Sequence, residues 1–310
     1  MALGTNHSTV TTSANFIPEL WSDEVVGAYK TNLVVANLVT KLSHKGKKGD
    51  TIHIPKPARG SASVKAASTQ VTLIADTAGV VNVSINKHYE YSKLIEDIAE
   101  VQALASMRRF YTQDAGYALS KQVDTDIINL AEGFQAGSTT DKSYDTAFIG
   151  TGTTAFTGTN EADLTDAGLR ALILKLDNAD VPMDNRSLII PPVVANDLLG
   201  INRFTEQQFI GSGDAIKTGK IGQIYGIDVF ISTNCPTVKS SGGTGNSAAG
   251  TERVGVLMHK DALVFAEQVG VRSQTQYKQE YLGDLFTADT IYGVAEMRDD
   301  AGLAFVVPAA

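Results

Sequence analysis

The side chains best suited to nucleophilic, acid–base or metal chemistry here are Cys235 and five histidines, His7, His44, His53, His88 and His259. A metal site draws its Cys and His ligands from short, repeated spacings. These six are dispersed, and none falls into such a pattern. Cys235 precedes Pro236 at the end of a run of β-formers, where a buried and inert thiol is expected. The G-x-S-x-G elbow, the G-x-x-x-x-G-K-[ST] phosphate loop and the H-E-x-x-H helix are all missing from the sequence. Gly150-Thr151-Gly152 carries two glycines of a dinucleotide fingerprint but follows no clear strand and precedes no helix, so it reads as loop. The acidic pairs Glu96-Asp97 and Asp299-Asp300 read as a helix start and a turn, not as paired catalytic carboxylates. The expectation is a protein that is not an enzyme, with no catalytic, cofactor-binding or metal-ligating residue and no cofactor.

The bulk properties point the same way. A net charge of −8 and a pI of about 5.1 oppose a nucleic-acid-binding surface as the main function, because phosphate neutralisation needs clustered Lys and Arg. The one dense basic run, His44-Lys45-Gly46-Lys47-Lys48, reads as a solvated turn or a subunit-contact loop. A single cysteine allows no intrachain disulfide and suits a reducing compartment. The N-terminal residues lack a signal-peptide pattern, and no apolar run reaches the ~18 residues of a membrane span. With 310 residues the chain has room for one elaborated domain or two ordinary ones.

Residues 1–15 are rich in Thr, Ser and Asn and read as a flexible arm. Pro18 fits a first helical turn, and the spacing through Val25, Ala28 and Leu33 predicts one or two short helices over 18–39, with Trp21 as a core anchor. Residues 46–92 predict a long hairpin. Ile52 and Ile54 alternate before Pro55 and Pro57, and Val81, Val83, Ile85, Tyr89 and Tyr91 alternate on the return. The middle, 58–79, is small and polar. So light an apolar payload is marginal by itself and needs a neighbour, from this chain or from another subunit. Residues 93–134 predict a very long helix: apolar or small residues recur about every 3.6 positions from Leu94 through Ile98, Val101, Leu104, Met107 and onward to Phe134.

Residues 137–162 read as a Gly/Thr-rich loop. Asp163 is the expected cap of a helix over 164–176 with Leu169, Leu172, Ile173 and Leu176 on one face. Leu188 to Ile190 predict a buried strand stopped by Pro191-Pro192, then a helix over 193–199. Residues 227–231 and 254–258 predict further strands, separated by a Ser/Gly loop at 240–250. Long alternating strands follow from Leu263 to Tyr281 and through Ile291, Ala295 and Met297. A turn at 299–302 then sends Leu303 to Val307 back.

Three segments resemble a known family in their order and spacing. They are Asn185-Arg186-Ser187-Leu188-Ile189-Ile190-Pro191-Pro192, the stretch from Gly219 to Ser232, and Thr290 to Asp299. The second reads G-x-I-G-x-I-x-G-I-x-V-x-x-S, with Gly219, Gly222 and Gly226 in place. The opening Ile17-Pro18-Glu19-Leu20-Trp21 is a looser match. Together they resemble the major capsid proteins of tailed bacteriophages with the Hong Kong 97-type fold, over nearly the whole chain.

The resemblance implies an α+β subunit with five parts. These are an N-terminal arm with short helices at 1–45, an E-loop hairpin at 46–92, a P domain with its spine helix and loop at 93–162, an A domain at 163–261, and P-domain strands with the C-terminus at 262–310. It implies self-assembly as hexamers and pentamers into an icosahedral head around double-stranded DNA, in the virion after assembly in the host cytoplasm. The implied partners are other copies of the chain, portal and scaffolding proteins and a decoration protein, with packaged DNA touched only non-specifically and no membrane. The resemblance also implies that the scaffolding extension of some relatives, not seen in this sequence, is expected either to be cleaved or to be supplied by a separate protein. Some relatives link an E-loop Lys to an Asn of a neighbour; the lysines so placed here are Lys56 and Lys65. Two alternatives remain: an encapsulin-like bacterial compartment shell with the same fold, and an enzyme with an unrecognised site.

Overall fold

Two long antiparallel strands and one long helix set the frame in a computed structural model. It describes residues 35–43, 49–56, 60, 62–71, 73, 79–97, 107–134, 144, 147–156, 161–201, 222–238 and 252–308. The N-terminal arm, the helices expected before residue 35, Trp21, His7, the basic run at 44–48 and the loop at 240–250 lie outside the described residues.

In chain order the strands are β1 (Thr40–Ser43), β2 (Thr51–Lys56), β3 (Gly79–Ser84) and β4 (Lys87–Glu96). Helix α1 (Met107–Asn129) follows, then β5 (Phe148–Ile149), helix α2 (Asp166–Asn178), β6 (Arg186–Ile190) and helix α3 (Pro192–Leu199). The last strands are β7 (Gln223–Ile224), β8 (Ile227–Ile231), β9 (Thr237–Val238), β10 (Glu252–His259), β11 (Leu263–Lys278), β12 (Gly283–Glu296) and β13 (Gly302–Val307).

They form three sheets. The first has four strands in the order β1-β11-β12-β4, and the second is the ribbon β2-β3. The third has seven strands, β5-β13-β10-β6-β8-β7 with β9 beside β10. Every residue of β6 is buried, because it lies between β10 and β8 with apolar residues on both faces. Tyr225 and Gly226, at φ 50° and 78°, make the tight turn from β7 to β8, a backbone region that favours glycine.

The long helix joins two cores. Ala115 and Leu119, on its N-terminal half, pack with Ile95, Phe286 and Ala288 of the four-stranded sheet. Val123, Ile127 and Ile128, further along, belong to the main core with Leu188, Val256 and Phe305 of the seven-stranded sheet. Burial on this scale dominates the stability of such a chain.

Four expectations are corrected. Residues 93–96 are strand, not helix: β4 runs to Glu96 paired with β12, and Ile95 rather than Leu94 is buried. The 3.6-residue stripe and the two-residue alternation overlap there, and cross-strand pairing decides. Helix α2 is capped by Thr165, whose hydroxyl accepts from the Gly168 N–H, and not by Asp163. The loop at 137–162 contains β5, so Gly150 does follow a strand, and its carbonyl packs against Gly168 so closely that a Cβ there would lie 2.0 Å away. Finally, β13 does not return onto β12; a short 3-10 turn, Asp299–Ala301, carries it to β10 in the other sheet.

Candidate assembly surface

Among the described residues, those that sequence reasoning singled out for chemistry are kept apart. His53 Nδ1 meets Asn82 Oδ1 at 2.6 Å across the β2–β3 pair. His88 Nε2 lies 3.0 Å from Asp289 Oδ2, and Arg272 grips the same carboxylate at 2.8 and 2.9 Å. His259 caps a turn, accepting from the Asp261 N–H at 3.2 Å. Among the described residues no group of three or more His, Cys, Asp or Glu side chains is arranged to hold a metal ion. Cys235 is buried, and burial pushes its thiol up to about 12. Among the described residues no helix is long and apolar enough to cross a membrane.

The ribbon β2–β3 is the candidate contact feature. Its six residue pairs run from Thr51↔Ser84 to Lys56↔Gly79. Pro55 is tolerated because a two-stranded ribbon leaves one side of each strand unpaired. At its foot Ile52, Ile54, Val83 and Ile85 share an apolar cluster with Val264, Ala266, Ile291 and Ala295 of β11 and β12. The Ile85 N–H donates to the Asp50 carbonyl at 2.7 Å, and the Gln268 side chain donates to the Gly49 carbonyl at 3.1 Å. Gly293 allows the crossing, since a Cβ there would lie 2.4 Å from the Ser84 carbonyl oxygen.

Beyond its foot the arm projects. Val64, Val71 and Leu73 are 102%, 65% and 91% exposed, while Val80, inside the ribbon opposite Pro55, is 57% exposed. Burying each such side chain is worth about 1.5–3 kcal/mol, so a covering partner would gain several kcal/mol. Lys65 stands on this exposed segment, and Lys56 ends β2 at the foot.

Two polar groupings at the foot have no signature in the sequence. The first lines a cleft of about 500 Å³ between the arm and the end of α1. In it Asp126, nearly buried, accepts from the Tyr292 hydroxyl at 2.8 Å and from Gln122 at 3.0 Å, and pairs with the Lys87 ammonium at 3.1 Å. The second centres on Glu296, at the end of β12. Burial first, then the charge and hydrogen bond of Asp299, raise its carboxyl to about 7, against an opposing pull from Lys56. Arg298 meanwhile binds Asp300 through two nitrogens, at 3.3 and 2.9 Å.

With this geometry in place, residues 37–301 match the family model described as phage capsid protein. No curated protein sequence matches the chain. Among solved structures the chain is similar to one of Mycobacterium phage Che8, at 22% identity and a TM-score of 0.68, over 88% of this chain and 90% of that one. It is also similar to the capsid structure of the cyanophage P-SCSP1u, at 18% identity and a TM-score of 0.69, covering 90% and 89%. The virus-like particle from Pyrococcus furiosus matches at 11% identity and a TM-score of 0.53, covering 93% and 99%.

Proposed function

The chain belongs to the phage capsid protein family, a structural major capsid protein with the Hong Kong 97-type fold, and from that premise we propose how it builds its shell. Copies assemble as hexamers and pentamers into an icosahedral head that encloses double-stranded DNA. The compartment-shell reading is not favoured, because the family match is to phage capsid proteins. The acidic balance of the chain suits an inner wall that does not hold the incoming genome.

The observation that carries this reading is the arm: anchored at its foot on the four-stranded sheet, with Val64, Val71 and Leu73 bare at its far end. A chain gains nothing by exposing these side chains unless another surface covers them. In the shell that surface is a neighbouring subunit. The arm at 46–92 then serves as the E-loop, 93–162 with 262–310 as the P domain, 163–261 as the A domain and 1–45 as the N-arm. The seven-stranded sheet draws β5 and β13 from outside 163–261, so the A domain shares its sheet with both flanking regions. Portal, scaffolding and decoration proteins are the further partners, with assembly in the host cytoplasm.

Deleting residues 58–78 tests the reading. The expected product is a folded subunit with native circular dichroism that electron microscopy finds unassembled. Normal particles from the deletion would overturn the role given to the arm.

A further inference from the structure

Strand alternation puts Ile52, Ile54 and Lys56 on one face of β2. The two isoleucines share a cluster with Ile291 and Ala295 of β12. One step further along the same face, Lys56 ends β2 within electrostatic reach of both Glu296 and Asp300. Glu296 is confined there. Its Oε2 lies 2.5 Å from where a Cβ on Gly133 would sit, and its Oε1 is buried without a hydrogen-bond partner.

We propose that Glu296 is a proton-dependent latch on the hairpin arm. Protonated, its carboxyl donates to Asp299 and leaves Lys56 to Asp300. Ionised, it loses that proton to solvent, turns from the Asp299 carboxylate and draws in the Lys56 ammonium, fixing the foot of the arm.

Among the described residues, the surrounding charges leave Lys56 as the responding group. Glu132 on the turn after α1, with Asp299 and Asp300 on the turn before β13, adds only negative charge. Arg298 is engaged by Asp300 and is also influenced by Asp261 on the turn before β11, next to Lys260. A buried carboxylate oxygen without a donor is costly, and the flexible stem of a lysine at a strand end is the cheapest way to supply one. The value of about 7 for Glu296 places the change in the neutral range.

Amide hydrogen exchange on the full-length chain, corrected for intrinsic pH dependence, reads the latch at β2 and β3. Exchange at the foot of the arm is expected to slow about threefold or more as pH rises through neutrality. Glu296→Gln, a stand-in for the protonated form, removes that inflection. Lys56→Met, at an exposed strand end where folding is not at stake, removes it as well. In Lys56→Met the carbonyl NMR signal of Glu296 still titrates, at a higher pH, because the ammonium no longer favours the ionised form. An inflection that persists in either variant, or that the parent chain lacks, overturns the proposal.

Discussion

Gly293 of β12 and Ser84 of β3 cross so closely that a methyl group on Gly293 would stand 2.4 Å from the Ser84 carbonyl oxygen and 3.0 Å from the Ile85 Cα. The obstacle is backbone, which cannot rotate away as a side chain would. Gly293→Ala therefore pushes the foot of the arm off the sheet. The expected cost is about 1–3 kcal/mol in urea unfolding, with faster proteolysis of the arm. Gly222→Ala is the control, because a Cβ there meets nothing within 4 Å and the stability stays unchanged.

The link from Asp126 to Tyr292 ties α1 to β12 beneath the arm. Tyr292 is fully buried, its ring is stacked 5.9 Å from Tyr89, and its hydroxyl donates to Asp126. Removing one partner of a buried hydrogen bond costs more than removing both. Tyr292→Phe leaves Asp126 with Lys87 and Gln122 and should cost about 1 kcal/mol. Asp126→Ala strands the hydroxyl and the ammonium together and should cost about 2–3 kcal/mol. The double variant should lose less than the sum, and a double-mutant cycle in denaturant measures the difference.

Local periodicity made the strands legible but not their partners. Alternation through Val269, Val271, Thr275 and Tyr277 marked β11, and the run at 188–190 marked a buried strand, because each pattern is a property of a few consecutive residues. Leu303 to Val307 read as a strand returning after the turn at 299–302, because nothing local names its partner. Only the 3-10 turn at 299–301 and the close fit of Phe305 over Gly255 select β10. The arm was legible as a hairpin too light to stand alone. Its exposed end followed from composition, whereas the grip of its foot depends on Gly293 and Gln268, more than 180 residues away. Glu296 and Asp126 were invisible for the same reason: a carboxylate becomes special through what folds around it.

Stability should fall on both sides of the mildly acid range. Burial alone would raise Asp289, but its hydrogen bonds from Arg272 and His88 outweigh this and hold it below the ordinary 3.8. Asp300 is likewise lowered, first by its hydrogen bond from Arg298. A depressed acid adds stability above its unfolded value and loses it as pH falls through the folded value, so both contribute to unfolding below about pH 3.8. Glu296 works in the opposite sense. Its raised value means that the folded chain holds the proton more tightly, so stability drains as pH rises from 4.5 to about 7. Melting curves across pH should peak between these limbs. Arg272→Met should lower the stability at neutral pH and flatten the acid loss, because Asp289 is then no longer held below its ordinary value, and Glu296→Gln should flatten the alkaline one.

Cys235 is the last group whose environment makes a sharp statement. It lies in the main core, 4% exposed, with its thiol pushed up to about 12 mainly by burial and only partly relieved by Arg253. Thiolate is the reactive form, and at neutral pH this site holds about one thiolate in 10⁵ thiols, against a few per cent for a free cysteine. Reaction must therefore wait for opening of the core around Val238 and Val254. The native chain should take up a maleimide or a disulfide reagent several orders of magnitude more slowly than the urea-unfolded chain. Mass spectrometry of timed quenches gives the rate directly. Labelling of the folded chain within seconds at pH 7 would mean that Cys235 is not packed as described, and that the β9–β10 edge opens far more readily than its burial implies.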